Sequence, residues 1–378
     1  MSKRKALVCA VSSVLYDQRV QRMGGLLTRM GYEVTLYGRK FRLREAPPSH
    51  VEGMALRLVR HVFNREAVFY AEYNLRLFFH LLIRSDYAVV VSNDLDTLPA
   101  CYLAWRWRRF KLIFDSHELF SEAAELSDNR LARRVWRALE RWLLPRVPVG
   151  LTVSESIRAE YRRRYGVDFH VLRNIPPRLD LSSLPLPTLN LDPSVHYLIL
   201  QGTGINRDRG AEEAVEALVH LPENFHLIVA GDGDVMEALI QRVRSRHLGQ
   251  RVHFTGRLPY RQLMALTTRC WAGLSLDKPT CLNYLYSLPN KIFDYIQARI
   301  PVVVSPIPEP AKIVLEHGVG VVARAVTPEA VAEAVMALEK ALARDAVGWK
   351  QRLDAAARAL CRENEEASLL NFLRDYLG

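Results

Sequence analysis

The sequence predicts an α/β protein with two doubly wound domains, each built on a parallel sheet that is covered by helices. Three observations support this prediction: apolar runs alternate with helical segments along the chain, a proline-rich stretch divides this alternation into two series, and the run at residues 302–304 is pure valine. Continuous apolar runs are typical of strands that are buried on both faces. Strands that alternate with helices predict βαβ units and a parallel sheet.

The first series contains the strand candidates ALVCAV, EVTLYG, YAVVVSN, KLIFDS, GLTVS and HVLRN. The second contains HYLILQG, FHLIVAG, VHFTG, AGLSL, PVVVS and VGVVA, followed by helical sequence. Between them, residues 174–194 hold five prolines, whose fixed φ and missing N–H interrupt regular structure. We therefore predict domains at residues 1–185 and 186–378, with terminal helices that could pack back on the first domain.

The composition argues against several classes of protein. With 378 residues, 49% of them hydrophobic and 25% charged, the chain is long enough for two globular cores. Its five scattered cysteines include no C-x-x-C pair, which argues against a disulfide framework and a zinc site. No apolar run approaches the ~20 residues of a membrane span, and the one near the N-terminus is too short to predict a cleaved signal. We expect a cytoplasmic protein.

The charge is distributed unevenly. Residues 1–190 contain 31 Lys and Arg against 19 Asp and Glu, a net charge of +12. Because the whole chain has 52 against 41, residues 191–378 keep 21 against 22, a net charge of −1. A basic first half suits a polyanionic partner or an anionic membrane surface, and it also suits arginine that serves solubility alone.

Polar residues at the carboxyl ends of the strands are the candidate site residues, because doubly wound domains bind ligands there. In the second domain, QGTGINRDRG follows a strand and begins a helix, which directs free N–H groups and the positive end of the helix dipole toward a ligand. Arginine donates several hydrogen bonds to phosphate oxygens. We interpret the segment as a diphosphate site, with a glycine turn and two solvated arginines as the alternative. Its candidates are Gly202, Thr203, Gly204, Arg207 and Arg209.

Three more segments of the second domain contribute to the same edge. The glycines of AGDGD allow a ligand to approach the backbone closely, although tight turns also need glycine. In SLPNKIFD, Lys291 can reach an anion and Asp294 can accept hydrogen bonds from ribose hydroxyls, although an acidic residue in a first helical turn can also be a dipole partner. With the junction TGRLP, these segments give the donor-binding candidates Gly231, Gly233, Arg257, Leu258, Ser287, Asn290 and Asp294, and Asp277 is a further polar residue at a strand end.

In the first domain, FDSHELF ends a strand with an acid/base-capable cluster around His117, which could also be a structural histidine. Asp17 and Arg19 begin the helix after the first strand, where a dipole partner and a surface arginine are the alternative. The acceptor-binding candidates are Asp17, Arg19, Asp94 and Glu118, and the catalytic candidates are His117, Arg209 and Lys291. We predict no metal site and no bound cofactor.

The segment NRLARRVWRALERWLLPRV, residues 129–147, combines arginines with an apolar stripe that includes two tryptophans. This composition is typical of a helix that lies in a membrane interface. A core-packed helix with a solvated arginine face is the alternative.

The chain resembles the family 4 glycosyltransferases of GT-B fold over nearly its whole length. Each matching motif is modest, but their order is specific. The motifs are LYDQRVQRMGGLLTRMGYEVTLYGR, NDLDTLPA, FDSHELFSE, LTVSESI, LRNIP, GDGDVMEAL, RVHFTGRLPYRQL and SLPNKIFDYIQARIPVVVS. The resemblance implies two Rossmann-like domains facing across a cleft, a nucleotide-sugar donor on the C-terminal domain, an acceptor on the N-terminal domain, and retention without a metal.

The resemblance also implies roles for individual residues. Arg209 matches the basic residue that contacts the donor diphosphate, Asp294 matches a ribose-binding glutamate, and His117 matches a histidine near the donor sugar. Two positions depart from the family pattern: Tyr286 replaces the first of a pair of glutamates, and Thr203 replaces the first basic phosphate contact. The glycine-rich loop that is common after the first strand is absent.

We therefore expect transfer of a sugar from a UDP- or GDP-linked donor to a glycan, glycolipid or other acceptor, as in polysaccharide assembly, with an anionic membrane as a further partner at the inner face. A sugar-nucleotide epimerase or hydrolase, and a degenerate non-catalytic binder, are the alternatives. We expect no nucleic-acid partner, because the arginines belong to no recognisable reading motif.

Overall fold

The computed structural model describes residues 4–41, 48–63, 66–84, 86–123, 126, 129–187 and 189–378. The chain divides into two compact units, Met1–Arg173 with Cys281–Asn283 and Ser368–Gly378, and Asn174–Thr280 with Tyr284–Ala367. The chain thus enters the second unit earlier than residue 186, where we predicted the boundary. The reason is that the start of the proline-rich segment packs there: Ile175 belongs to the core of that unit, and Pro176 O accepts a hydrogen bond of 2.9 Å from Arg362 N.

The first unit is built on an eight-stranded sheet in the order β3-β4-β2-β1-β5-β6-β7-β8. Among the described residues its neighbouring strands pair in parallel, except that β3 and β4 are antiparallel. The strands are β1 Lys5–Ala10, β2 Glu33–Arg39, β3 His50–Val51, β4 Met54–Val59, β5 Tyr87–Asn93, β6 Lys111–Ser116, β7 Gly150–Thr152 and β8 His170–Val171. The helices are α1 Gln18–Arg29, α2 Glu66–Ile83, α3 Leu98–Trp107, α4 Arg130–Leu143 and α5 Glu155–Tyr165.

The second unit is built on a six-stranded sheet in the order β11-β10-β9-β12-β13-β14, with every pairing parallel. The strands are β9 His196–Gly202, β10 Phe225–Gly231, β11 Val252–Phe254, β12 Ala272–Ser275, β13 Val302–Val304 and β14 Gly320–Val322. The helices are α6 Ala211–Ala217, α7 Met236–Ser245, α8 Tyr260–Thr267, α9 Leu282–Leu285, α10 Lys291–Gln297, α11 Pro308–His317, α12 Pro328–Arg344, α13 Ala346–Ala359 and α14 Arg362–Leu377.

Both faces of the second sheet are covered, as continuous apolar strands require. Leu198 and Leu200 of β9 belong to one buried cluster, whereas Tyr197 and Ile199 belong to another on the opposite face. Val303 and its neighbours in the all-valine strand divide between the same two clusters, which confirms that β13 is buried on both faces. The polar residues that follow these strands therefore share one edge of the sheet.

Helix α14 ends in the first unit. Leu369, Leu373 and Leu377 belong to the buried cluster that includes Val8 of β1 and Leu27 of α1. The terminal helix thus covers the first sheet, in agreement with our expectation that a terminal helix packs on the N-terminal domain. No helix of the described part of the chain is long and apolar enough to cross a membrane.

Candidate active site

Three charged residues meet at the strand ends of the second unit. Asp277, directly after β12, is fully buried, and its Oδ1 accepts a hydrogen bond of 3.0 Å from Arg209 Nη1. Its Oδ2 lies 4.0 Å from Lys291 Nζ and is buried without a hydrogen-bond partner. One carboxylate therefore lies between two cations, one in the loop before α6 and one at the start of α10.

The surroundings keep these two cations in place. The Arg209 guanidinium lies 4.3 Å from the centre of the Tyr284 ring, a cation–π geometry. Burial lowers the pKa of Lys291, and the nearby charge of Arg209 lowers it further while Asp277 opposes both. An anion that arrived beside this amine would relieve the repulsion between the two cations.

Asp294 lies three residues after Lys291 on α10, so their side chains share a helix face. Its Oδ1 accepts a hydrogen bond of 2.9 Å from the Tyr260 hydroxyl, and its Oδ2 accepts one of 3.1 Å from Gln201 Nε2. Burial raises the pKa of Asp294 to about 7, although both hydrogen bonds oppose the shift. Such a carboxyl group is a hydrogen-bonding partner for a hydroxyl and changes charge near neutral pH.

The glycines of this edge allow two loops to pack against each other. A Cβ on Gly231 would lie 1.9 Å from Gly202 O, and one on Gly233 would lie 2.1 Å from Ile205 O. The loops after β9 and β10 therefore require glycine for packing alone. A role for these residues in ligand binding stays a prediction.

The remaining donor-binding candidates differ in their exposure and in their hydrogen-bond partners. Arg207 is exposed and its backbone N donates to Asp234 Oδ1 at 3.0 Å, while Arg257 is exposed with its Nε 3.6 Å from Asp232 Oδ2. Ser287 Oγ donates to Tyr284 O at 2.8 Å, and Leu258 packs against the core. The candidates Thr203, Gly204 and Asn290 are exposed.

A second polar cluster lies at the strand ends of the first unit, around His117. The His117 backbone N donates to Asp94 Oδ1 at 2.8 Å, and Nδ1 lies 3.4 Å from Asp94 Oδ2. On the other side of the ring, Nε2 lies 3.1 Å from Asn93 Oδ1 and 3.6 Å from Asp115 Oδ2. Burial would lower the pKa of His117, but the charges of Asp94 and Asp115 outweigh it and raise this pKa to about 9.

Arg19 and Asp17 have structural partners. The Arg19 Nε donates to Asp115 Oδ2 at 2.9 Å, and Nη1 donates to Leu172 O at 2.6 Å, with both charged groups buried. Asp17 caps α1 by accepting hydrogen bonds of 3.1 Å from Arg19 N and Val20 N. These contacts agree with the alternative that Asp17 serves the N-terminus of the helix. The alternative of a surface arginine is wrong for Arg19, because its side chain is buried.

Glu118 accepts a hydrogen bond of 2.8 Å from Asn283 Nδ2, and the Leu119 backbone N donates to Asn283 Oδ1 at 3.0 Å. Asn283 belongs to the short segment that is grouped with the first unit. The carboxylate of Glu118 therefore has a protein partner within that unit.

Helix α4, the basic segment of the sequence analysis, buries Trp136 and Leu143. Arg137 on this helix and Arg164 on α5 each donate at 2.7 Å to Oε1 of the buried Glu122, and Arg133 also contacts Glu122. Leu131, Val135 and Trp142 are exposed. Core packing thus accounts for one face of α4, and the membrane interpretation stays a prediction.

Several partners were missed by the sequence analysis. Tyr260, Gln201 and Tyr284 contact Asp294 or Arg209 from other elements, and Asp277 was noted only as a polar strand end. Their pairings depend on sheet order, which no local pattern reveals. Among the described residues, no group of three or more His, Cys, Asp or Glu could hold a metal ion.

Two family models match the chain. The model "Glycosyltransferase Family 4" matches residues 18–183, and the model "Glycosyl transferases group 1" matches residues 196–352. No curated protein matches the sequence at a significant level.

Solved structures show the same fold at low sequence identity. A sucrose-phosphate synthase from Thermosynechococcus elongatus matches with a TM-score of 0.79 and 16% identity, over 99% of each chain. HepE from Anabaena, in complex with UDP and glucose, matches with a TM-score of 0.72 and 14% identity, over 99% of each chain. An E. coli protein described as trehalose-6-phosphate bound with UDP-2-fluoro glucose gives 0.73 and 12%, over 99% of each chain. With models of both halves matched, the chain belongs to the family 4 glycosyltransferases of GT-B fold.

Proposed function

We propose that this enzyme transfers a sugar from a nucleotide-diphosphate sugar to an acceptor, with retention at the anomeric carbon and without a metal. The observation that carries the proposal is the pairing of Arg209 and Lys291 around Asp277, with Asp294 on the same helix face as Lys291. Two cations beside a hydroxyl-binding carboxyl group match the diphosphate and the ribose of such a donor. The named complex of HepE with UDP and glucose supports the same donor class.

In this mechanism the second unit stabilises the leaving group. When the bond between the anomeric carbon and the diphosphate oxygen breaks, negative charge develops on that oxygen. Arg209 and Lys291 are already held in place by Asp277, so they stabilise this charge without reorganising. Positioned cations can therefore supply the stabilisation that a divalent metal gives in other transferases.

For His117 we propose hydrogen bonding to a hydroxyl of a reacting sugar. A histidine with a pKa of about 9 carries a proton at neutral pH, so it donates hydrogen bonds and cannot accept a proton as a general base. Asp94 and Glu118 remain acceptor-binding candidates in this proposal. Asp17 and Arg19 are weaker candidates because a helix cap and a buried ion pair account for their contacts.

We also propose a cytoplasmic location with an acceptor presented at an anionic membrane, such as a glycolipid or a growing polysaccharide. The net charge of +12 in residues 1–190, counted from the 31 basic and 19 acidic residues there, supports such a surface.

The test begins with thermal melting in the presence of UDP-, GDP- and ADP-linked sugars. We expect one nucleotide class to raise the midpoint, because a ligand that binds only the native state stabilises it. Product analysis with that donor, with and without candidate acceptors and with a chelator, then examines the reaction. Free sugar or an epimer without acceptor would indicate a hydrolase or an epimerase. Binding with no nucleotide release from any donor would indicate a non-catalytic protein.

A further inference from the structure

The outer face of helix α2 carries a row of exposed apolar side chains. Val68, Leu75, Phe79 and Ile83, here called the α2 face, are each at least half exposed, with Ile83 at 78%. Their spacing places them on one side of the helix over about 22 Å, at 1.5 Å per residue. The opposite side of α2 buries Phe69, Tyr73 and Leu77 in the unit.

A groove lies beside the α2 face, against strand β4. Its volume is about 660 Å³, and its lining includes Leu75, Phe79, Ile83, Arg57, Arg76 and Arg84. Apolar groups thus line one side of the groove, and three arginines lie within or around it.

Two of these arginines are available to an anion. Arg57 on β4 and Arg84 after α2 are exposed, and neither has an ion-pair partner among the described residues. Arg76 pairs with Glu72 at 2.7 Å, and this glutamate also accepts hydrogen bonds from the backbone of Val62 and Phe63. Glu72, the acidic side chain of the groove lining, is therefore already paired within the protein.

The positive charge of these arginines also affects the pKa of His80, whose ring lines the groove. Burial, together with the charges of Arg57 and Arg84, lowers its pKa to about 4, although the charge of Asp86 opposes the shift. The groove is consequently electropositive around an uncharged, buried imidazole that stacks on Tyr37 at 5.2 Å.

We propose that the α2 face and its groove bind the surface of an anionic phospholipid bilayer, with a lipid phosphate between Arg57 and Arg84 and acyl chains along the α2 face. An exposed apolar row flanked by arginines is complementary to an anion that carries an apolar tail. A soluble acidic peptide would leave the apolar row in water. A symmetric pairing of two copies would bring the same arginines together. The inference deepens the membrane part of the proposed function, but it does not depend on the transfer reaction.

Vesicle co-sedimentation tests the proposal with the full chain. The probes are phosphatidylcholine vesicles with and without roughly 30% phosphatidylglycerol, which supplies the negative surface potential. We expect binding only to the anionic vesicles. Charge reversal in Arg57→Glu/Arg84→Glu removes two cations and adds two anions, so it should weaken binding by at least roughly 30-fold, and Phe79→Ser/Ile83→Ser should weaken it by about tenfold.

The matched control is Arg244→Glu/Arg344→Glu in the second unit, which reverses the same number of exposed arginines. It should bind within about threefold of the unmodified protein, because neither arginine lines the groove and salt screens exposed charges beyond about 8 Å. Thermal melting, with and without the preferred nucleotide sugar, checks that every variant folds and keeps its donor site.

Three outcomes would overturn the proposal. The first is equal binding to neutral and anionic vesicles, or none to either. The second is an equal or larger loss in the control variant, which would show that the charge of the whole chain, and not the groove, drives the binding. The third is full binding by Phe79→Ser/Ile83→Ser, because the α2 face would then make no contact with lipid. A dimer in light scattering that this variant abolishes would have the same meaning, because a second copy of the chain would then cover the α2 face.

Discussion

At the scale of single residues, the candidate donor site depends on one buried carboxylate that interacts with two cations. Asp277 is fully buried, yet it hydrogen-bonds to one cation and lies 4.0 Å from the other. A buried charge is costly unless it is paired, so the fold keeps Arg209 and Lys291 close to it. The same pairing concentrates two positive charges at one point of the sheet edge.

Removing Arg209 should therefore weaken nucleotide binding, and it should also destabilise the fold, because the buried Asp277 would keep only Lys291 nearby. We expect Arg209→Ala to lower the affinity for a nucleoside diphosphate by about 10- to 100-fold, the effect of losing one or two charge-assisted hydrogen bonds. Isothermal calorimetry measures it. Arg324→Ala is the control, because Arg324 is an exposed arginine that pairs with Glu333 at 2.7 Å on the same unit. Equal affinities for Arg209→Ala and the unmodified protein would contradict the role of Arg209.

Asp294 should give the folded protein a characteristic dependence on pH. Its pKa is raised to about 7 from the ordinary 3.8, so between these values the native state holds a proton that the unfolded chain has lost. The contribution of Asp294 to the free energy of unfolding is therefore fully present below pH 3.8 and is lost as the pH rises toward 7.

Urea unfolding of the unmodified protein and of Asp294→Asn, from about pH 4.5 to about pH 8, tests this dependence. The difference in stability between the two proteins should shift against the unmodified protein as the pH rises, and should level off above about pH 8. A difference that stays constant over the whole range would show that the Asp294 carboxyl group titrates normally.

At the scale of helices and strands, Arg19 connects the start of α1 to the end of β6 through Asp115. Burial would raise the pKa of Asp115, but the charge and hydrogen bonds of Arg19 and His117 outweigh it and hold this pKa below its ordinary value. The carboxylate therefore stays charged inside the unit, and its ion pair fixes the helix against the sheet.

Breaking the ion pair between Arg19 and Asp115 should lower the stability of the protein. We expect Arg19→Ala to lower the free energy of unfolding by about 3–5 kcal/mol, because it leaves the buried Asp115 carboxylate with His117 alone as a charged partner. Urea unfolding followed by circular dichroism measures the loss, and Arg29→Ala, near the other end of α1, is the matched control. If Arg19→Ala unfolds at the same urea concentration as the control, the arginine has a role other than structural.

Most of the fold could be predicted at this scale, and the reason is physical. The twelve strand candidates carried continuous apolar runs, and a strand forms at each of them. Strand β4 was missed because Arg57 interrupts its apolar run and Met54 is its one fully buried residue, so MALRLV lacks the pattern of a strand buried on both faces. In the central strands such as β1, β9 and β13, the apolar run reflects burial on both faces, a property that a single segment already contains.

The site could be predicted only in part. Glycines, arginines and a carboxylate at strand ends were visible in the sequence, because position along the chain fixes which end of a strand they occupy. Their partners were not visible: Gln201 lies near the end of β9, whereas Tyr260 begins α8, and both contact Asp294 on α10. Such contacts depend on the order of strands in the sheet. The position of Asp17 at the start of α1 was visible locally, and a helix-dipole partner was the alternative expected there.

At the scale of the whole molecule, charge and chemistry divide between the two units. The second unit carries the cations and the carboxyl group that match a nucleotide diphosphate, although residues 191–378 are close to neutral overall. The basic excess lies in residues 1–190, which also contain the α2 face. Net charge therefore points to a surface partner, whereas the donor site depends on a few positioned charges.

A crystal structure of the enzyme with UDP tests the central claim most directly, with GDP as the alternative probe. The account predicts that the diphosphate lies within hydrogen-bonding distance of Arg209 and Lys291, and that Asp294 accepts a hydrogen bond from a ribose hydroxyl. Nucleotide bound elsewhere, with Arg209 still paired only to Asp277, would contradict it.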